Sequence, residues 1–126
     1  MSSLETRQDD GILIVKFKDN KILDDARIQQ IGAELLECAT QAAQVDPKRI
    51  VVNFDGVNFM GSAMIGKLVL LNRQCTTHGV ALKMCNISKN IAEVFKITRL
   101  NRVFEIHKDE DKAIKSFDKK GLFGLG

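Results

Sequence analysis

The 126-residue sequence has no tryptophan, no tyrosine and a single proline. Its aromatic residues are seven phenylalanines, which suit a buried core better than a platform on which nucleic-acid bases stack. The net charge is only +3, and the basic residues are interleaved with acidic ones instead of forming one basic stripe. Nucleic-acid-binding domains usually concentrate their positive charge on one face, so no nucleic-acid partner is expected.

Cysteines are few and widely spaced. Cys38, Cys75 and Cys85 are odd in number and form no Cys-x-x-Cys pair, which argues against both a zinc site and a disulfide framework. We therefore expect free, partly buried thiols in a reducing compartment.

Long apolar runs are also missing. No segment approaches the ~20 apolar residues that a membrane-spanning helix needs, and the N-terminus lacks the pattern of a signal peptide. The expectation is a cytoplasmic protein that does not insert into a membrane.

Hydrophobic patterning predicts alternating strands and helices. Predicted strands cover residues 11–18, 22–23, 49–54, 80–86 and 103–106. The first helix has Asp24 or Asp25 as its cap and ends before Pro47. Its expected apolar stripe is Ile28, Ile31, Leu35, Ala39 and Ala42.

Three further helices follow the later strands. The second opens at Ser62 with an expected stripe of Ile65, Leu68, Val69 and Asn72, and Gly79 closes it in the left-handed conformation. Ser88 is the expected cap of the third, whose predicted stripe is Ile91, Val94, Phe95 and Thr98. Asp109, Glu110 and Asp111 begin the fourth, and Ala113, Ile114 and Phe117 form its apolar side.

This order predicts one α/β domain, a sandwich with a mixed, mostly parallel sheet of four or five strands packed by about four helices. The domain is expected to span residues 1–118. Residues 119–126 contain three glycines in their last six positions and are predicted to form a flexible C-terminal tail.

No catalytic or metal-binding constellation is present in the sequence. A nucleophile elbow, a Walker loop and a dinucleotide fingerprint are all missing, and no His, Cys or Asp cluster has ligand spacing. His78 and His107 are interpreted as solvated side chains. We therefore expect a protein that is not an enzyme and that holds no metal and no cofactor.

One unusual segment remains, at residues 58–66, where a central strand leads into the second helix. Ser62 at this helix start has two interpretations: a plain N-cap, or a phosphate acceptor. A phosphate there would meet exposed N–H groups and the positive end of the helix dipole.

Residues 50–66, Ile-Val-Val-Asn-Phe-Asp-Gly-Val-Asn-Phe-Met-Gly-Ser-Ala-Met-Ile-Gly, resemble the signature of the STAS domain family of bacterial anti-sigma factor antagonists. That signature is an apolar strand, an acidic or glycine turn, an aromatic residue, and then Asp-Ser-Ser-Gly-Leu-Gly. The resemblance covers nearly the whole chain. Its other matching pieces are Leu23-Asp24, residues 79–82, 86–88, 98–104 and 109–113.

The resemblance implies an anti-sigma factor antagonist. Members bind an anti-sigma factor that is also a serine kinase, which releases the sigma factor, and the kinase phosphorylates the serine that aligns with Ser62. A phosphatase is a further possible partner. The implied partner surface comprises Asp24, Asn58, Phe59, Met60, Gly61, Ser62, Ala63, Met64, Lys67, Ser88, Lys89 and Asn90.

The chain departs from the family pattern around the acceptor. Gly61 replaces the usual aspartate, and Ala63-Met64 replaces Ser-Gly; we expect Met64 to add an exposed or half-exposed apolar side chain. The alternatives are a STAS scaffold that is not phosphorylated, an interaction domain beside a transporter, and a sensor of nucleotides or lipids. The sequence leaves the oligomeric state open.

Overall fold

The computed structural model describes the backbone of residues 2–125 and the side chains of residues 2–118. The strands are β1 (Leu4–Asp9), β2 (Ile12–Phe17), β3 (Lys21–Ile22), β4 (Arg49–Asn53), β5 (Phe59–Met60), β6 (Ala81–Cys85) and β7 (Glu105–His107). The helices are α1 (Asp25–Ala42), α2 (Ser62–Thr77), α3 (Lys89–Ile97) and α4 (Glu110–Leu125), with a short 3₁₀ turn at Leu100–Arg102.

The main sheet has five strands in the order β1-β2-β4-β6-β7. The pairs β2–β4, β4–β6 and β6–β7 are parallel, whereas β1 pairs antiparallel with β2. A separate two-stranded parallel sheet joins β3 to β5. The predicted single α/β domain, with a mixed, mostly parallel sheet and four helices, is confirmed.

Both faces of the sheet are covered. Leu13 and Val15 point into the larger core cluster beneath α1, α2 and α3, whereas Ile12 and Ile14 join a smaller cluster with Ala113 of α4. Successive side chains of a strand point to opposite faces, so a strand covered on both sides needs a continuous apolar run. The Ile-Leu-Ile-Val run of β2 meets that requirement.

The N-cap and the apolar stripe of helix α1 are as predicted. The Asp24 carboxylate accepts a hydrogen bond from the Arg27 N–H at 3.0 Å, which satisfies one of the free donors of the first turn. All five residues of the expected stripe are buried. The other predicted caps also hold: Ser88 caps α3, and Gly79 has φ +70° after α2.

The predicted apolar stripe of α2 is confirmed in part: Ile65 and Leu68 are buried and Val69 is half-buried against the core. The side chains that α2 buries most completely are Met64, Leu68, Leu71 and Cys75, whereas Asn72 is half-exposed. The spacing of four, three and four residues places these four on one helix face. In α3, Ile91 and Phe95 are buried as predicted, but Val94 and Thr98 are exposed.

Two chain ends differ from the prediction. Strand β1 was not predicted, and it forms the antiparallel edge of the sheet. Helix α4 is assigned through Leu125, so it includes most of the segment expected as a tail; glycine costs a helix about 1 kcal/mol per residue but does not forbid it. The flexibility of that segment and the domain boundary at residue 118 stay predictions.

All three thiols are free, as predicted, and they are buried more completely than expected. Burial raises the pKa of Cys38 and of Cys75 to about 11, and that of Cys85 to about 12. Because the thiolate is the reactive species, the folded protein should react negligibly with Ellman's reagent at pH 8. The same assay in denaturant should titrate three thiols per chain, and fast reaction of any thiol in the native protein would contradict this burial.

Candidate partner-docking surface

Three helices begin at one edge of the domain. Helices α1, α2 and α3 follow β3, β5 and β6, so their N-termini emerge where the parallel strands end. In open α/β sheets the carboxyl ends of the strands are the usual place for ligands and partners to bind. We call the surface formed by the starts of these three helices and the β3–β5 sheet the docking edge.

The β3–β5 sheet holds the starts of α1 and α2 together. Lys21 pairs with Phe59 and Ile22 with Met60. The Gly61 N–H donates to the Ile22 carbonyl at 2.8 Å, and the Asn58 N–H donates to the Asn20 carbonyl at 2.8 Å. These bonds tie the segment before Ser62 to the segment before Asp24.

The start of α3 is joined to the same edge. The Ser88 hydroxyl accepts a hydrogen bond from the Ile91 N–H at 3.3 Å, which caps the helix. The same hydroxyl lies 3.4 Å from the Asn58 carbonyl, to which it donates. The structure therefore brings Ser88 and Asn58, which are thirty residues apart, into direct contact.

An ion pair fixes the entry to α1. The Arg27 guanidinium donates to both Asp19 carboxylate oxygens, with each N–O distance at 2.8 Å. These hydrogen bonds hold the pKa of Asp19 below its ordinary value. Arg27 is also the residue whose N–H is capped by Asp24, so the loop before α1 is held by both its side chain and its backbone.

Ser62 is exposed at the first position of α2, and Gly61 takes the N-cap position. Interpreting Ser62 as a plain N-cap is therefore wrong, and within residues 2–118 no group bonds its hydroxyl. Met64 and Ile65 donate to the Gly61 carbonyl at 3.0 and 3.3 Å. The N–H groups of Ser62 and Ala63 have no acceptor among the described residues, and the first turn carries no acidic residue.

Gly61 has an ordinary backbone conformation. Its φ and ψ are −74° and 162°, in the extended region that every residue type adopts. A Cβ atom at this position would lie 3.8 Å from its nearest neighbours, the Ile22 carbonyl oxygen and the Ile28 Cδ1 atom. Neither the backbone nor the packing requires glycine here.

An exposed apolar pair lies beside Ser62. Phe59 is 46% exposed and Leu23 is 57% exposed. Lys21 pairs with Phe59 and its ammonium lies 5.7 Å from the centre of the phenyl ring. Leu23 directly follows Ile22, whose carbonyl accepts the hydrogen bond from the Gly61 N–H. The predicted surface did not include Lys21 or Leu23, although an apolar residue immediately before a helix cap was a visible signal.

Met64 is not part of this surface. The expectation of an exposed Met64 is wrong, because its side chain is 0% exposed and belongs to the main core cluster. Lys67 is half-buried: its ammonium donates to the Gln29 side chain at 2.9 Å, and its aliphatic stem packs against Gly32 of α1. Both residues therefore serve the packing of α2.

The remaining predicted surface residues are all accessible to some extent. Exposed positions are Asp24, Asn58, Phe59, Ser62, Ala63, Lys89 and Asn90, and half-buried ones are Met60, Gly61 and Ser88. Their binding role stays a prediction, but their placement on one edge supplies a continuous surface of three helix starts.

Two other kinds of site are not found in the described residues. No group of three or more His, Cys, Asp or Glu side chains in that part of the chain is placed to hold a metal ion. None of the helices in the described part of the chain has the length and hydropathy to cross a bilayer.

Comparison with known proteins defines the class. The sequence profile of the STAS domain family matches residues 3–113, and the chain belongs to that family. STAS domains are generally binding domains without enzymatic activity.

Individual relatives agree with this membership. The chain is 26% identical over 110 residues to the proposed anti-sigma factor antagonist BtrV of Bordetella bronchiseptica, covering 86% of this chain and 88% of that protein. It matches the structure of an anti-sigma factor antagonist (STAS) domain protein from Planctomyces limnophilus with a TM-score of 0.79 and 17% identity, over 90% of this chain and 96% of that one. It also matches the Bacillus cell-fate determinant SpoIIAA in its phosphorylated form, with a TM-score of 0.65 and 19% identity, over 90% and 98% of the two chains.

Proposed function

We propose that this chain is a cytoplasmic anti-sigma factor antagonist that binds an anti-sigma factor with serine kinase activity through the docking edge, and that phosphorylation of Ser62 ends the binding. The observation that carries the proposal is the state of Ser62. Its hydroxyl is exposed, has no partner among the described residues and stands at the start of α2, next to an exposed apolar pair.

The docking edge offers what a protein partner needs. Aromatic and apolar anchors surrounded by polar groups are typical of the centre of an interface. Phe59 and Leu23 supply the anchors, and Asp24, Asn58 and Asn90 are exposed polar groups on the same three helix starts. Partner contact over this edge would cover Ser62.

Phosphate would change this surface electrostatically. A phosphoserine carries about −1.5 to −2 charges near neutral pH and would sit against the two unpaired N–H groups of α2. The domain therefore tolerates the modification, whereas a partner docked over α2 would have to desolvate a dianion. This asymmetry makes Ser62 suited to a switch of binding rather than of folding.

The test is to incubate the purified protein with ATP and each histidine-kinase-like serine kinase of the same organism, and then to measure the intact mass. We expect a gain of about 80 Da with one kinase, which is the mass of one added phosphate group. The Ser62→Ala variant should show no gain while still binding that kinase.

A scaffold that is not phosphorylated is the competing function, and Gly61 is the observation that favours it. The family's aspartate beside the acceptor is missing, so a contact available to a kinase in other members is lost. Binding of a kinase without any mass gain would establish the scaffold and refute the switch. Failure of every candidate kinase to bind would refute both the binding partner and the switch.

A further inference from the structure

A groove between α3 and β7 is not used by the docking edge. Its volume is about 420 Å³, within the range of about 300 to 1,000 Å³ that is usual for ligand-binding clefts. Strand β7 is the last strand of the sheet order, so its outer edge has no neighbouring strand in the described part of the chain. The groove is therefore open along an unpaired strand.

The lining combines apolar and basic groups. The apolar side is formed by Ile87, Ala92, Phe95 and Ile106, and Ile106 is 38% exposed. The polar side is formed by Lys96, Asn101, His107 and Lys108. No carboxylate lines it.

The nearest carboxylate of the strand is already neutralised. Glu105 lies 2.7 Å from the buried Lys83 ammonium and 2.7 Å from the His107 Nε2 atom. Burial raises the pKa of Glu105, but the hydrogen bonds from these two residues outweigh it and keep the pKa below its ordinary value. Its charge is thus compensated internally, which leaves Lys96 and Lys108 as the uncompensated charges of the groove.

The segment around the groove concentrates both charge and exposed apolar surface. Residues 87–108 contain five Lys or Arg and two Glu, which equals the net charge of +3 of the whole chain. Four of the eight large apolar side chains that are exposed in the described residues also lie here: Val94, Ile97, Val103 and Ile106. Of these four, Ile106 lines the groove itself.

We propose that this basic groove binds an acidic segment of a partner protein, with apolar side chains of the segment packed against Ile106 and Ala92 and its carboxylates facing Lys96 and Lys108. Charge complementarity selects this occupant. A second copy of the chain would bring two segments of charge +3 together, which is repulsive, and the apolar lining suits side chains better than phosphates. The open edge of β7 also allows an extended segment to add as a strand.

The test uses the full-length protein labelled with ¹⁵N and a synthetic amphipathic peptide made of Asp, Glu, Leu and Ile. We expect dose-dependent amide shifts at Ala92, Lys96, Ile106 and Lys108, and binding that weakens as salt screens the charges. A matched peptide with Asn and Gln in place of every acid should bind about tenfold more weakly or not at all.

Two double variants test whether the peptide binds at the groove. The Lys96→Glu, Lys108→Glu double variant should lose about tenfold in peptide affinity. The double variant Arg73→Glu, Lys112→Glu has the same change of net charge at two exposed positions outside the groove, and it should bind like the parent. Ser62→Asp should also leave peptide binding unchanged, so this test does not depend on the proposed switch.

Three outcomes would overturn the proposal. The first is an absence of shifts at the groove residues at millimolar peptide. The second is equal loss in both double variants, which would indicate a non-specific charge effect. The third is binding of anionic vesicles, of DNA or of a second copy of the chain at the groove without binding of the peptide.

Discussion

Replacing Ser62 with aspartate is expected to weaken binding to the anti-sigma factor by roughly 10- to 100-fold, because a charge is placed where the partner must exclude water. The variant should not lose stability. A carboxylate in the first turn of a helix interacts favourably with the helix dipole, by about 0.3–1 kcal/mol. We therefore expect a melting temperature equal to or slightly above that of the parent, alongside the loss of affinity measured by calorimetry.

Two controls separate charge at this position from charge in general. Ser62→Ala should bind like the parent, because the hydroxyl makes no hydrogen bond within the described residues. Thr6→Asp adds the same charge at an exposed position on β1, away from the three helix starts, and should also bind normally. If Ser62→Asp binds as tightly as Ser62→Ala, the switch does not operate through charge at this helix start.

Replacing Met64 with alanine should lower the free energy of unfolding by about 2–5 kcal/mol, because a fully buried side chain is removed and a cavity remains. Domains of this size are stable by only about 5–15 kcal/mol, so this is a large fraction of the total. Met64→Leu conserves volume and should cost less than about 1.5 kcal/mol. Urea titration measures each value.

The matched control is Leu70→Ala in the same helix. Leu70 is exposed, so its removal should change stability by no more than about 0.5 kcal/mol. The folded Met64→Ala protein should bind its partner with nearly unchanged affinity, because the side chain does not reach the surface. A binding defect without a loss of stability would instead indicate that Met64 takes part in the interface.

The error at Met64 has a physical origin in the composition of α2. Apolar residues are so dense between Ala63 and Leu71 that two rotations of the helix each produce an apolar stripe. Periodicity selects a buried face only when polar residues occupy the opposite side. Helix α1 has such polar positions, and there the predicted stripe was confirmed at every residue.

The missed strands lack a local signal for a different reason. In β1 a single buried leucine is followed by four exposed residues, Glu5–Gln8. Buried and exposed side chains therefore do not alternate along this strand. Strand β5 is two residues long and exists because it pairs with β3, a contact made by segments almost forty residues apart. Such strands depend on tertiary pairing that local patterns do not encode.

The docking edge was predictable in its location but not in its detail. The family resemblance pointed to Ser62 and to residues at the starts of α1, α2 and α3 as the partner surface. No sequence pattern indicated that Gly61 rather than Ser62 takes the N-cap position. Sequence patterns also could not show that the Lys67 side chain packs against Gly32, because this contact depends on how closely α1 and α2 approach each other.

The geometry of Gly61 has a consequence for how parallel signalling circuits could be kept apart. An aspartate would fit this position without strain, since the backbone is extended and the nearest atoms lie at ordinary contact distance. Two copies of this domain, one with glycine and one with aspartate, would therefore share their shape and differ by one charge beside the acceptor. A kinase that recognises this charge would distinguish them, so a change at one side-chain position that the fold leaves free would be enough to separate one pathway from another.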